Sequence, residues 1–215
     1  MKHIKFGIKF FVSAAILMAS CHSHADNYCG ELANAYGPYD YRKGTGEFAP
    51  NLHLVEIAHF TSDVEQGIKG VSSYLGGDLD YTLRAFPNHH RALATMARVA
   101  LKDKTVQVSG AKYPVECYFI RAIQFVPDDG VVHGAYGNYL FALGKTDKAL
   151  VEFKQAVALE PENASINYNL GLALLKTKDF EQANKYAKKA YALGFPLPGL
   201  KNKLIEAGKW EDKPE

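Results

Sequence analysis

An all-α chain built as a helical solenoid, with an irregular arm at its N-terminal end, is what this sequence predicts. Three observations carry the prediction. Small residues recur at a fixed interval: Gly137 and Gly171, Ala149 and Ala183, and Ala156 and Ala190 each lie 34 residues apart. Prolines at Pro127, Pro161 and Pro196 stop a helix at the end of each interval, because proline lacks the N–H that continues the ladder. The composition is 47% hydrophobic and 22% charged, which is that of a folded chain and excludes extended disorder.

The repeating unit reads as two helices and a turn. One copy carries His133-x2-Tyr136-Gly137-x2-Leu140, then Ala149-x3-Phe153, Ala156 and Pro161. The next carries Asn167-x2-Leu170-Gly171-x2-Leu174, then Ala183-x3-Ala187, Ala190 and Pro196. Glycine and alanine let the helices approach while larger residues fill the remaining holes. Ala187 stands where the first copy has Phe153, so Tyr186 or Tyr191 is expected to fill that space. A 34-residue period with this small and large pattern resembles the tetratricopeptide repeat, TPR. The resemblance implies a TPR-type solenoid with repeats over 90–129, 130–163 and 164–197. A degenerate helical pair over 61–87 precedes them, and a capping helix with a tail follows over 198–215.

In chain order, residues 1–25 read as a secretory signal. Lys2, Lys5 and Lys9 lead, Phe10 to Ala19 is a short apolar run, and Ser23-His24-Ala25 offers small residues before a cut. The run is too short to span a bilayer, and no later segment is long and apolar enough for an integral membrane span. Leu17-Met18-Ala19-Ser20-Cys21 resembles a bacterial lipoprotein box, so a lipid anchor at Cys21 stands beside cleavage after Ala25. Export leads to the periplasm by one route and to a membrane-anchored lipoprotein by the other. Without the three leading lysines, 22 basic side chains face 23 acidic ones, and no nucleic-acid partner is indicated.

Outside Cys21, Cys29 and Cys117 form an even pair in an oxidising compartment. A bridge between them closes a loop of roughly ninety residues and is worth about 4–5 kcal/mol in lost chain entropy. The other reading makes Cys117 a buried, small apolar residue.

Residues 26–60 read as an irregular arm. Gly37-Pro38, Gly44, Gly46 and Pro50 punctuate it, and Tyr28, Tyr36, Tyr39, Tyr41 and Phe48 must bury their rings, either as a cap on the first unit or in a groove. Ser62 with Glu65 is a capping box, and Gly67 and Gly70 end or kink that helix. Asp78 is a second N-cap, followed by Leu79, Leu83 and Phe86 on one face, with Asp80 and Arg84 paired on the outer side. In the next unit Leu93, Met96 and Ala97 fit the first helix, and Pro114 starts the second. The excess length falls in the turn Lys104 to Lys112, as a surface insertion or a site of specific contacts.

Nothing points to an enzyme, a cofactor or a metal. Gly144-Lys145-Thr146 lacks the glycine that a phosphate loop needs, since Tyr139 holds that place. Gly70-Val71-Ser72-Ser73-Tyr74 lacks the second glycine of a nucleophile elbow. His89-His90 with Asp78 and Asp80 is the one metal-like grouping, but neighbouring residues on a helix point about 100° apart.

By resemblance to TPR proteins that bind peptides, the first helices line a concave groove. The partner-binding candidates are Arg91, Arg98 and Lys102, then Asn138 and Phe141, then Tyr168, Asn169 and Leu172. Asn138 and Asn169 match two asparagines of the carboxylate clamp found in some members, whereas the clamp's lysine place is Gly134. Arg91 and Arg98 share a face and suit an acidic or phosphate-bearing partner, or pair with carboxylates of the chain itself. The function implied is a non-catalytic scaffold or adaptor of the bacterial cell envelope that holds another protein or peptide segment. Pilus, secretion or polysaccharide-export assembly are the settings the resemblance suggests. The alternative is a periplasmic module that binds a small ligand or glycan.

Overall fold

The computed structural model describes residues 28–71 and 74–210. Residues 1–25, read as a secretory signal, Cys21 within them and the tail 211–215 lie outside the described residues. In chain order the α-helices are α1 (Ala49–His59), α2 (Ser62–Gln66), α3 (Leu75–Ala85), α4 (His90–Asp103), α5 (Val115–Phe125), α6 (Gly130–Ala142), α7 (Thr146–Leu159), α8 (Ala164–Lys176), α9 (Phe180–Ala192) and α10 (Gly199–Glu206).

Side-chain caps start the first helix of each repeating unit. His89, Asp129 and Asn163 accept from the backbone N–H three residues on, at Ala92 (3.1 Å), Val132 (3.2 Å) and Ile166 (3.2 Å). Each capped helix pairs with the next one: α4 with α5, α6 with α7, α8 with α9. The first helices also touch one another, α4 against α6 and α6 against α8, and α10 closes the end on α8 and α9.

A Cβ on Gly137 would lie 2.6 Å from the Phe153 ring, so glycine there is what lets α6 meet α7. In the next unit Ala187 leaves the corresponding space empty of a ring. Leu200 from α10 fills it, with its Cδ2 2.6 Å from where a Gly171 Cβ would stand. Neither Tyr186 nor Tyr191 does so; Tyr191 instead meets Tyr168 and Trp210, each at 6.4 Å between ring centroids.

One position of the repeat carries a charge switch. Asn167 Nδ2 donates to the Pro161 carbonyl at 2.9 Å, and His133, one repeat earlier, reaches the Pro127 carbonyl through Nε2 at 3.2 Å. The other His133 nitrogen faces Glu152 Oε2 at 2.8 Å. With acceptors on both sides the ring is best served by two protons, and the Glu152 hydrogen bond raises its pKa. His89 is the opposite case. Its Nδ1 accepts from Ala92, so Nε2 holds the one proton toward Glu56, and burial pushes its pKa down.

These shifts have opposite signs in stability. The contribution of His133 is complete below the ordinary value of 6.5 and is lost as pH rises through its raised folded value; that of His89 is lost as pH falls below 6.5. His133→Asn keeps a donor for Pro127 and removes the titration. Melting curves between about pH 5 and pH 8.5 are therefore expected to show a weaker alkaline decline than wild type, with the acid limb retained. Parallel alkaline limbs in the two proteins would refute it.

The leading end differs from expectation in several places. Residues 49–59 are helical, because Pro50 sits in the first turn of α1, where no backbone donor is lost. α1 and α2 both pack on α3, and α2 also on α4, so the partner of α3 is a helix broken at Phe60–Thr61. No capping box forms: Ser62 Oγ accepts from Gln66 Nε2 at 2.8 Å, and Glu65 turns to Arg91. Gly67 ends α2 with φ +72°, as a left-handed stop requires.

α3 begins at Leu75, which places Asp78 within the helix and not at its cap. Its buried carboxylate accepts from Val71 N–H at 2.7 Å and faces His59 Nδ1 at 2.9 Å. Asp80 does pair with Arg84 at 2.8 Å but lies inward, accepting from the Tyr118 hydroxyl at 2.5 Å and Lys112 N–H at 3.3 Å.

The enlarged turn folds back as packing. Val108 and Ala111 are buried, and Gly76 N–H donates to the Ser109 carbonyl at 3.2 Å. A Cβ on Gly76 would fall 2.4 Å from that oxygen and 2.8 Å from Ala111 N, both of them backbone atoms. Gly76→Ala is expected to cost about 1–3 kcal/mol in urea unfolding, with faster proteolysis in the turn. Wild-type stability in that variant would mean that the turn moves aside freely.

The arm is a cap held at several points. Cys29 and Cys117 are disulfide-bonded, with Cα atoms 5.0 Å apart. The buried Arg121 donates through Nη1 to the carbonyls of Cys29 (3.1 Å), Gly30 (3.1 Å) and Glu31 (2.7 Å), and its guanidinium lies 5.0 Å from the Tyr113 ring centre. Further along, Tyr36, Tyr39, Tyr41 and Phe48 pack on a small second core of Leu52, Val55, Ala85 and Phe86. Asn88 joins arm to solenoid: Oδ1 accepts from Tyr41 N–H at 2.9 Å, and Nδ2 donates to Asp40 (2.7 Å) and Asp129 (2.9 Å).

Candidate partner-binding groove

Helical spacing sets what the first helices present. Ala94, Arg98 and Leu101 of α4 recur every three or four residues and share a face, as do Ala135 and Asn138 of α6, and Leu172 and Leu175 of α8. Alanines at 94, 97 and 135 leave room between α4 and α6, and the hollow there measures about 250 Å³, walled by Arg98, Leu101, Asn138 and Tyr139. A larger recess of about 690 Å³ opens next to it, where Phe141, Leu172 and Leu175 meet Phe180 and the end of α10.

Arg98 and Asn138 thus fall together in the first hollow, and Phe141 and Leu172 in the second. The remaining candidates do not line either. Lys102 is exposed one turn beyond Arg98, and Asn169 is half-buried outside both hollows. Tyr168 belongs to the core, stacked on Phe195 with ring centroids 3.9 Å apart, because Phe195 and α10 fold over it.

Arg91 is not an open anion site. It makes two hydrogen bonds to Glu65, at 2.7 and 2.5 Å, one to Glu56 at 3.2 Å, and lies 5.2 Å from the Phe60 ring centre. The Arg91 hydrogen bonds hold the Glu65 carboxyl below its ordinary range, and Glu65 in turn raises the Arg91 guanidinium. Arg98 donates to the Glu65 carbonyl and, at 3.4 Å, to Thr95 Oγ1. Both arginines therefore fasten α2 to α4: Arg91 pairs with carboxylates of the chain itself, and Arg98 with the Glu65 carbonyl and the Thr95 hydroxyl.

The two neighbouring histidines diverge, as helix geometry demands. His89 turns to Ala92 and Glu56, while His90 Nε2 bonds Asp129 at 2.9 and 3.0 Å. Among the described residues, no three histidine, cysteine, aspartate or glutamate side chains come together as a metal set. No helix among them is long and apolar enough to cross a membrane.

Sequence reasoning passed over Lys178, Phe180 and Lys203, which frame the larger recess. One signal was present. Lys178 stands 34 residues after Gly144, at the same left-handed turn, with φ +65° against +76°.

A family model described as TPR repeat matches residues 137–178, and a second, described as tetratricopeptide repeat, matches 164–193. Residues 137–193 are tetratricopeptide repeats. A solved structure shares the helical fold. That of Pseudomonas aeruginosa PilF superposes with a TM-score of 0.52 at 20% identity, covering 74% of this chain and 68% of that one. MamA labelled AMB-1 gives 0.44 at 21% identity over 72% and 82%, and MamA labelled MSR-1 gives 0.43 at 19% over 72% and 80%. No curated protein matches the chain in sequence. α4 and α5 also touch, across an enlarged turn, but far less extensively than α6 with α7 or α8 with α9.

Proposed function

We propose that this TPR protein works in the bacterial cell envelope as a non-catalytic adaptor, holding a segment of another protein along the concave face of α4, α6 and α8. TPR repeats make protein–protein interaction scaffolds. The observation that carries the concave face is its pair of open hollows, one between α4 and α6 and one where Phe141, Leu172 and Leu175 meet Phe180 and α10. Export is supported by the leading signal-type segment and by a disulfide, which persists in an oxidising compartment. Assembly of pili, secretion machinery or polysaccharide export are settings that suit such an adaptor.

The test is site-specific photo-crosslinking in intact cells. A benzoylphenylalanine at Asn138 is expected to yield one dominant adduct that the same probe at Gln155, exposed on α7, does not. Identical adducts from both positions, or none from Asn138, would remove the groove assignment.

A second reading is favoured by one feature. Tyr191, Phe195 and Trp210 line a recess of about 400 Å³ with Lys188 and Lys201, a combination that suits sugar rings. Titration with cell-wall or polysaccharide fragments would change Trp210 fluorescence if this recess binds them; an unchanged signal leaves the adaptor reading alone.

A further inference from the structure

The larger concave recess has a chemical character of its own. Its floor is apolar, made by Phe141, Leu172, Leu175 and Phe180. Its rim is basic, with Lys176, Lys178 and Lys203 against the one acid, Glu206. None of these three lysines makes a salt bridge among the described residues, whereas Lys145 and Lys189 elsewhere on the repeats do. Lys209 adds an ammonium 5.5 Å from the Phe180 ring centre.

Lys178 is the informative residue. At φ +65° it holds a backbone conformation that glycine adopts freely and a lysine does not, and the same place one repeat earlier is Gly144. Gly194 and Gly208 keep glycine at the left-handed turns that follow. Lys104 holds the same kind of left-handed turn after α4, and of these two lysines it is Lys178 that stands at the edge of an apolar recess. Four ammonium groups around such a floor repel one another until carboxylates arrive between them, and the floor stays wet until an apolar group covers it.

We propose that this recess takes a bulky apolar side chain from an acidic segment of the partner, whose flanking carboxylates pair with Lys176, Lys178 and Lys203. The proposal rests on the concave face being the partner surface and adds the partner's chemistry. Apolar contact supplies the grip, and the lysine rim selects against basic and neutral segments.

The test uses the full mature chain and three fluorescein-labelled peptides read by anisotropy. One carries a leucine–phenylalanine pair flanked by glutamates, the second has lysines for the glutamates, and the third keeps the glutamates with serines for the apolar pair. The first is expected to bind best, and added salt to weaken it. Lys176→Glu with Lys203→Glu should cut its affinity about tenfold and raise that of the lysine peptide. Lys178→Gly relieves the strained turn, so it should bind the first peptide more weakly while melting no lower than wild type.

Equal affinity for the first two peptides, or a charge reversal without effect, overturns the proposal. If those peptides bind alike and Asn138→Arg blocks both, the groove stands and only the acidic partner falls. If no peptide binds and photo-probes at Asn138 and Leu172 form no adduct, both fall together.

Discussion

Arg121→Met is expected to destabilise the protein by about 3 kcal/mol, the cost of leaving the carbonyls around a buried guanidinium without their donor. The arginine is 1% exposed, and one nitrogen, Nη1, serves the carbonyls of Cys29, Gly30 and Glu31 together. Methionine matches the aliphatic stem but ends short of the guanidinium, so the loss combines the missing hydrogen bonds with the space left beside Tyr113. Arg121→Lys is expected to recover only part of it, since the shorter side chain must bring its ammonium to where Nη1 stands and loses the guanidinium contact with Tyr113. Urea unfolding measures the difference, and proteolysis should now cut the arm near Gly30. A loss below about 1 kcal/mol would mean that water replaces the guanidinium there without penalty.

Removing the disulfide is the other large change. Cys29 and Cys117 are separated by 88 residues, and the loop-closure relation gives about 4–5 kcal/mol for a bridge of that span. The arm remains docked by Arg121, by Asn88 and by the tyrosine cluster, so part of that entropy is recovered by other contacts. Cys29→Ser with Cys117→Ala is accordingly expected to lose about 2–4 kcal/mol. Adding Arg121→Met should cost less than the separate effects combined, because both anchors hold the same few residues. Strict additivity would mean that the two anchors act on independent parts of the chain.

Sequence showed the repeats more readily than what they carry. Gly137, Gly171 and the alanines set helix approach through their own small size, so the period was enough to place α6 to α9. Pro50 was ambiguous because the same residue marks a loop and a first helical turn, and α1 was hidden behind it. Asp78, Asp80 and Arg121 were illegible for another reason. Their partners lie far away in sequence, and polar residues on a helix look solvated until the facing segment is known. Arg91 and Arg98 have the spacing of a binding pair, but Glu65, on a helix of five residues, takes both. The hollowed face was legible in part through Asn138, Phe141 and Leu172, which line it. Its basic rim was not, since α10 supplies Lys203 and no repeat pattern extends there.

The bridge between Cys29 and Cys117 also fixes how the molecule responds to a pull. Tension applied at the N-terminal end reaches Cys29, crosses the sulfur pair and enters the chain again in the first turn of α5. Residues 30–116 lie on a covalent ring to the side of that route. α1 to α4 are therefore spared the strain, and the force arrives at α5, directly beside the clean repeats. Whatever draws on this protein from its leading end takes hold of α5 and leaves the cap slack.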